Sequence, residues 1–331
     1  MKPQRLQADH LLQAADAAVV CKVSILFKCT LHRIKRKSED AMNEFINRNV
    51  RWLFPLPATI FVALMMAFPL VFTLAVSMTD WTVATRGSLS FVGPANYLSM
   101  FKEARFYDSL VHTLYFTILA VGMETVLGVA IALLLNRHFA GKELVKMLFL
   151  LPMVCTPVAI GLCWTLFYEP TVGLFTYTLK QLGIPTMAWL ATPSTVIPAI
   201  ALVDIWEWTP FVILIALAGL ANLPLDCFEA ATVDGANVLQ KFRHVTLPLL
   251  MPTLMTAITL RSIDAIKTFD IIFSMTNGGP LNASENLNVY AYKQGFQYFQ
   301  FGSASTLLMM LFVLVLGCTL LTTKVKKRTG V

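Results

Sequence analysis

Two short runs hold the side chains best suited to chemistry. At Arg261, Asp264, Ala265 and Thr268 the spacing i, i+3, i+4, i+7 puts a charge pair, a gap and a hydroxyl on one helical face. At Asp204, Trp208 and Phe211 the spacing i, i+4, i+7 joins a carboxylate to two aromatic surfaces. The first face is too polar for lipid and suits the lining of a watery path. The second suits a carbohydrate, because a carboxylate accepts from hydroxyls while the C–H face of a ring stacks on indole. Each also has a plainer alternative. Arg261 with Asp264 and Lys267 with Asp270 would form a neutralising ladder that only joins helices, and the tryptophans would pack between helices or at a membrane interface. Arg261 would also suit a phosphate, although Asp264 stands beside it to take up that charge.

Catalytic and metal signatures are missing from the sequence. No G-x-x-x-x-G-K-[ST] phosphate loop occurs: Gly141-Lys142 is followed by Glu143, and the earlier glycine position is Asn136. H-E-x-x-H is absent, and the five histidines are dispersed; His112, near a span end, reads as hydrogen-bonded or interfacial. Six cysteines, Cys21, Cys29, Cys155, Cys163, Cys227 and Cys318, contain no C-x-x-C pair. The expectation is a chain that is not an enzyme, with no catalytic residue and no metal site.

The elements that carry these faces are membrane spans. The chain has 331 residues, 56% hydrophobic and only 14% charged, with a mean hydropathy of +0.66; a soluble domain carries roughly 25% charged residues. Its apolar residues are gathered into blocks long enough to cross a bilayer. Trp52 to Met78 is 27 residues without a charge, about 40 Å as a helix. Ser109 to Leu135, interrupted by His112 and Glu124, is a second span, and the charge-free block Met147 to Tyr168 a third. Thr195 to Leu220 carries Asp204 and Glu207, Leu247 to Met275 carries Arg261, Asp264, Lys267 and Asp270, and Ser303 to Thr323 completes six. The fold class expected is an all-α membrane protein of six transmembrane helices: a basic tail over 1–51, a membrane domain over 52–323 and a short basic tail over 324–331.

Orientation follows from the basic residues, which are retained on the cytoplasmic side. Nineteen Lys and Arg fall in the two tails and in segments 136–146 and 221–246, against five in the segments on the other face. Both termini are therefore expected in the cytoplasm. The formal charge of +7 is then mainly topological, with some attraction of the tail to anionic lipid, and nucleic-acid binding is not indicated. No signal peptide is visible, so the first span serves as the insertion signal. Val19, Val20, Val23, Leu26 and Phe27 have the spacing of a helix lying on the membrane surface, with an unordered tail as the alternative. A start at Met42 would leave a shorter basic lead into the first span.

The segment 221–246, expected on the cytoplasmic side, is the most informative. It reads Leu-Pro-Leu-Asp-Cys-Phe-Glu-Ala-Ala-Thr-Val-Asp-Gly from Leu223 to Gly235 and continues to Pro248. Pro224 suits a helix start, Glu229 an early turn, and Ala230, Ala231, Gly235 and Ala236 are small enough for close approach. From the residues alone it is either a short helix shaped to be gripped or an ordinary helical turn between two spans.

Glu229-Ala230-Ala231, Gly235 after three more residues, and Val245-Thr246-Leu247-Pro248 after nine resemble the EAA signature of permease subunits of type I ABC importers, with Val245 where isoleucine is usual. Phe91-Val-Gly-Pro-Ala-Asn-Tyr97, Phe149-Leu-Leu-Pro152, Trp206-x-Trp208-x-Pro210 with Ala218-Gly-Leu220, and Phe269-Asp270 with Thr276-Asn-Gly-Gly-Pro280 are similar to the carbohydrate-uptake branch, in particular its larger or first-listed permease. The likeness covers 52–323; the long tail and Glu124 depart from it. It implies a bacterial inner-membrane importer built from this chain, a second homologous permease, two ATPase subunits that bind ATP and Mg, and an extracytoplasmic solute-binding protein. It assigns Glu229, Ala230, Ala231, Asp234 and Gly235 to ATPase coupling, and adds Trp206 to the solute path, with Pro210 as a local break that would turn Trp206 and Trp208 to one side. The solute class implied is a sugar, polyol or glycerol phosphate. An ion-coupled secondary transporter is the other reading of the buried carboxylates, against which stands the lack of a visible inverted repeat.

Overall fold

The computed structural model describes residues 52, 54–85, 90–183 and 187–328. The expected surface helix at 19–28 and the alternative start at Met42 lie outside them. The chain divides into two units, Met1–Leu70 and Val71–Val331, with the boundary inside its first long helix.

That helix, α1 (Leu56–Ser77), carries apolar side chains on all sides, and only Val76 and Ser77 are buried, as befits a surface wetted by lipid rather than water. Its end is tied by the F-x-G-x-x-N-Y run. Asn96 Nδ2 donates to the carbonyls of Ser77 and Thr79 at 2.9 Å each, and the Tyr97 hydroxyl lies 2.7 Å from Ser77 Oγ. Asn96 and Tyr97 open the short helix α2 (Ala95–Met100).

The remaining elements are α3 (Ala104–Leu135), α4 (Lys142–Val154), α5 (Pro157–Phe167), α6 (Leu174–Gln181), α7 (Val196–Ala221), α8 (Leu225–Val233), α9 (Val238–Lys241), α10 (Leu247–Ile266), α11 (Asp270–Thr276), α12 (Leu287–Tyr292) and α13 (Phe301–Arg328). Among the described residues there is no strand, only isolated bridges. Among the described residues, five stretches are long and apolar enough to cross a membrane, and α4 with α5 makes a sixth if that bent pair is one span.

The bend corrects the expectation of a straight third span. α4 and α5 meet at 96°. Cys155 and Thr156 are extended there, because a residue before proline is driven out of the helical region, and Pro157 then opens a new helix. The fifth span is corrected as well. Its helix stops at Ile266 instead of running to Met275, and the freed carbonyls of Lys267 and Thr268 accept from Asn288 Nδ2 at 2.7 Å and Asn286 Nδ2 at 2.5 Å.

Helices α3, α7 and α10 form the centre. Buried residues of α3 recur at helical spacing, Thr113, Thr117, Ala120, Glu124, Gly128 and Ala132 among them. Gly128 lets α3 and α7 touch: a Cβ there would lie 2.6 Å from Val212 Cγ1. One apolar cluster gathers Ala120 and Val121 of α3, Val196 to Ile205 of α7 and Ala265 of α10. Another gathers Val129 and Ala132 of α3, Ile213 and Ala216 of α7, and Leu250 and Leu254 of α10. Glu124 of α3, Glu207 of α7, and Arg261 and Asp264 of α10 lie between these two clusters, with Asp204 at the edge of the first.

Candidate functional site

Burying an ion costs several kcal/mol even after relaxation, so a charge in this layer must find a partner. Arg261 of α10 is 1% exposed and finds two. Its Nε donates to Glu124 Oε2 at 2.6 Å and its Nη2 to Glu124 Oε1 at 2.7 Å, a two-point pair with α3. Nη2 also donates to Asp204 Oδ2 of α7 at 2.8 Å. The guanidinium carbon stands 4.8 Å from the centre of the Trp208 ring, a cation–π contact with a second residue of α7. One cation therefore bolts three helices together.

This arrangement replaces the ladder read from spacing. Asp264 pairs with Lys267 at 3.3 Å, both about half exposed, so neither Arg261–Asp264 nor Lys267–Asp270 forms. Low surrounding polarity favours the carboxylates that meet the guanidinium in its own plane over one a single helical turn away.

Beside the triad lies a cavity of about 320 Å³ walled by Asp204, Glu207, Trp208, Arg261, Asp264, Lys267, Thr268, Phe269 and Asp270. Of the residues expected on the path, Asp204, Trp208, Arg261, Asp264 and Thr268 converge here. Thr268 does so from beyond the end of α10, its hydroxyl donating to the Asp264 carbonyl at 3.2 Å. Ala265 does not: it is fully buried in the apolar cluster, because the helix turns its methyl inward while Asp264 faces out. Phe211 lies beside Trp208, ring centres 6.4 Å apart, but is not among the cavity walls.

Trp206 is separated from Trp208. Helix α7 runs unbroken through Pro210, so two residues of spacing leave the two indoles roughly 200° apart around its axis. Trp206 is 46% exposed, meets Trp164 at 5.7 Å and walls an apolar cavity of about 490 Å³ with Leu148, Phe149 and Pro210. The expected local break at Pro210 is not formed.

Two residues outside the expected set stand at the heart of the site. Glu124 is fully buried as the main partner of Arg261. Glu207, 1% exposed, walls the cavity, and its Oε2 has no hydrogen-bond partner among the described residues. Glu124 was recoverable from charge balance: Arg261 and Lys267 are the only Lys or Arg inside the spans read from the sequence, and a carboxylate within a span needs a cation.

A second ionic cluster joins α3 to the segment before α12. Arg105 makes a two-point contact with the fully buried Glu285 at 2.7 and 2.9 Å, Lys293 reaches the same carboxylate at 2.6 Å, and His112 Nδ1 lies 3.1 Å from the Glu285 carbonyl. Nearby, burial, together with the adjacent Glu103 carboxylate, pushes the Tyr290 phenol up, and its hydroxyl donates to Glu103 at 2.6 Å.

The segment 221–246 has a different character, with Glu229, Ala230, Asp234 and Gly235 all exposed and Ala231 partly so. No residue of α8 is buried, and Leu225 and Val233 are exposed with Val238 and Leu239 beyond them. Its end is nonetheless sharply defined. Ala236 N donates to the Ala231 carbonyl at 2.9 Å and Gly235 N to that of Thr232 at 3.1 Å, a Schellman turn. Gly235 has φ +74°, which a side chain would strain. Lys241 Nζ donates to Thr232 Oγ1 at 2.9 Å, Asn237 and Gln240 form a capping box, and a π turn over Phe242–Thr246 carries the chain into α10.

A family model described as binding-protein-dependent transport system inner membrane component matches residues 124–329. The chain is 39% identical over 271 residues to the probable ABC transporter permease protein y4oQ of Sinorhizobium fredii, covering 81% of this chain and 87% of that protein. It is 38% identical over 235 residues to the trehalose/maltose transport system permease protein MalF of Thermococcus litoralis, covering 71% and 79%. Among solved structures, a chain of a bacterial alginate ABC transporter, crystallised with its alginate pentasaccharide-bound periplasmic protein, matches with a TM-score of 0.74 at 20% identity, over 86% of this chain and 96% of that one. That likeness supports the fold.

Proposed function

The chain belongs to the binding-protein-dependent transport system inner membrane components, and from that premise we propose that it forms half of the path of an ATP-driven carbohydrate importer and is driven through α8. Its task is transport, not catalysis. The observation that carries the proposal is the contrast between α8, wholly unburied yet rigidly ended, and the buried ionic layer to which it is linked. Exposed Leu225 and Val233 beside the carboxylate of Glu229 offer an ATPase subunit an apolar grip with a charge to set register.

The drive is mechanical. Lys241 and Thr232 tie α9 to α8, and α9, the π turn and α10 follow one another without a break. Displacement of α8 by a closing ATPase dimer passes along α10, whose 20 residues span about 30 Å, to Arg261 and Asp264 at the cavity. Because Arg261 holds α3 and α7, the three helices move as one body, and the cavity changes access rather than shape. ATP and Mg belong to the two ATPase subunits; a second homologous permease supplies the facing half of the path, and a solute-binding protein delivers solute from outside. Both termini and α8 lie in the cytoplasm. Asp204, Trp208, Asp264 and Thr268 line this half of the path, with Glu207 added. The ion-coupled alternative gives way to the family match, and of the carboxylates it relied on Asp204 is held by Arg261 and Asp264 by Lys267.

The test is affinity capture of the detergent-solubilised chain with mass identification of its companions, comparing wild type with Gly235→Asp, Gly235→Asn and Gly235→Ala. Wild type is expected to bring down an ATPase and a second permease. Gly235→Asn, which tolerates left-handed backbone, should keep the ATPase better than Gly235→Ala. Gly235→Asp should lose it or uncouple it. Wild type captured alone and supporting ATP-independent uptake would overturn the proposal.

A further inference from the structure

We propose that the cavity bounded by α7, α10 and α11 admits uncharged polyhydroxylated solutes, sugars and polyols, and excludes those bearing carboxylate, phosphate or sulfonate. This rests on the reading of that cavity as part of the solute path. Six charged side chains wall it: Asp204, Glu207, Asp264, Asp270, Arg261 and Lys267. Arg261 is committed to Glu124 and Asp204 through three hydrogen bonds, and Lys267, about half exposed, already faces Asp264 at 3.3 Å. With Glu124 behind Arg261, five carboxylates face two cations, and the balance stays negative even when two of the five hold a proton.

An anionic solute would have to take Arg261 from carboxylates already docked on it at 2.6 to 2.8 Å, leaving Glu124 or Asp204 buried and unpaired. It would also meet Glu207, whose Oε2 is buried and unpartnered. A hydroxyl has the opposite fate. It donates to the exposed carboxylates of Asp264 and Asp270, and its ring carbons find the aromatic surfaces of Trp208 and Phe269. Arg261, a candidate phosphate partner by residue type, is thus a structural cation.

The test reads the charge of the cavity without the solute. In the intact transporter complex, with the six native cysteines replaced, Thr268→Cys is treated with a trimethylammonium methanethiosulfonate and with a sulfonate one. Each rate is normalised to that with 2-mercaptoethanol. Clefts lined by one sign of charge concentrate counter-ions by roughly 10-fold or more, so the cationic reagent is expected to be favoured by about that factor. The preference should fall several-fold in Glu207→Gln, or in Asp270→Asn at an exposed position should the first variant reduce the yield of complex. A normalised ratio near one, or in favour of the sulfonate, overturns the proposal. If an uncharged methanethiosulfonate labels Thr268→Cys and leaves uptake of radiolabelled trehalose or maltose intact, the solute-path reading fails, while the charge ratio still decides the sign of the cavity.

Discussion

Glu124 and Arg261 stand 137 residues apart in the chain and meet through two hydrogen bonds of 2.6 and 2.7 Å with almost no exposure of either side chain. A pair of this kind behaves asymmetrically. Removing one member leaves the other as an uncompensated buried charge, whereas replacing all members with apolar groups of similar volume is often neutral.

For Arg261→Met, which leaves Glu124 and Asp204 buried without a cation, the expected cost is therefore about 3–5 kcal/mol, read as a lower melting temperature of the complex in detergent and a lower yield of folded chain. The combination Glu124→Leu, Asp204→Leu and Arg261→Met should recover most of that stability without recovering uptake, since α3, α7 and α10 would pack but the cavity would lose its polar wall. An Arg261→Met chain as stable as wild type would refute the role given to this cation.

Close packing at Gly128 has its own signature. An added methyl lies 2.6 Å from Val212 Cγ1, so Gly128→Ala should destabilise the bundle by about 1–3 kcal/mol, the usual range for overpacking. Val212→Ala should be mildly destabilising alone and should offset Gly128→Ala in part, because it removes Cγ1 while the Cβ of residue 212, 2.7 Å from the added methyl, remains. A double-mutant cycle on thermal unfolding measures this coupling; strictly additive losses would count against the contact.

The two tryptophans of α7 should separate in function. Trp208→Ala removes a cavity wall and the ring stacked under Arg261, and is expected to lower uptake at least ~10-fold, about 1.4 kcal/mol in the limiting step. Trp206→Ala changes an apolar surface facing Trp164 and Phe149 and should leave uptake within about threefold, a difference of under 1 kcal/mol. The measurement is initial uptake across a panel of radiolabelled disaccharides and polyols, normalised to the amount of assembled complex. Equal losses would show that both aromatic rings serve the solute.

Much of this protein was legible in its residues, because what sets it is local or additive. Charge-free blocks such as Trp52 to Met78 state the bilayer as their solvent whatever they pack against. The EAA run states the exposed α8 in contiguous residues, and Asp204 and Trp208 share a face by helical geometry alone. Tertiary structure decided the rest. Spacing offered Arg261 the carboxylate of Asp264 one turn away, but a guanidinium buried at 1% exposure takes the partners that satisfy it in plane, and these came from α3 and α7. The split between Trp206 and Trp208 depended on Pro210 sitting inside an unbroken helix. The end of α10 is fixed by Asn286 and Asn288, some 20 residues downstream, which donate to the carbonyls of Lys267 and Thr268 just past it. A sequence records which groups are costly to bury; only the packed helices determine which partner each group meets.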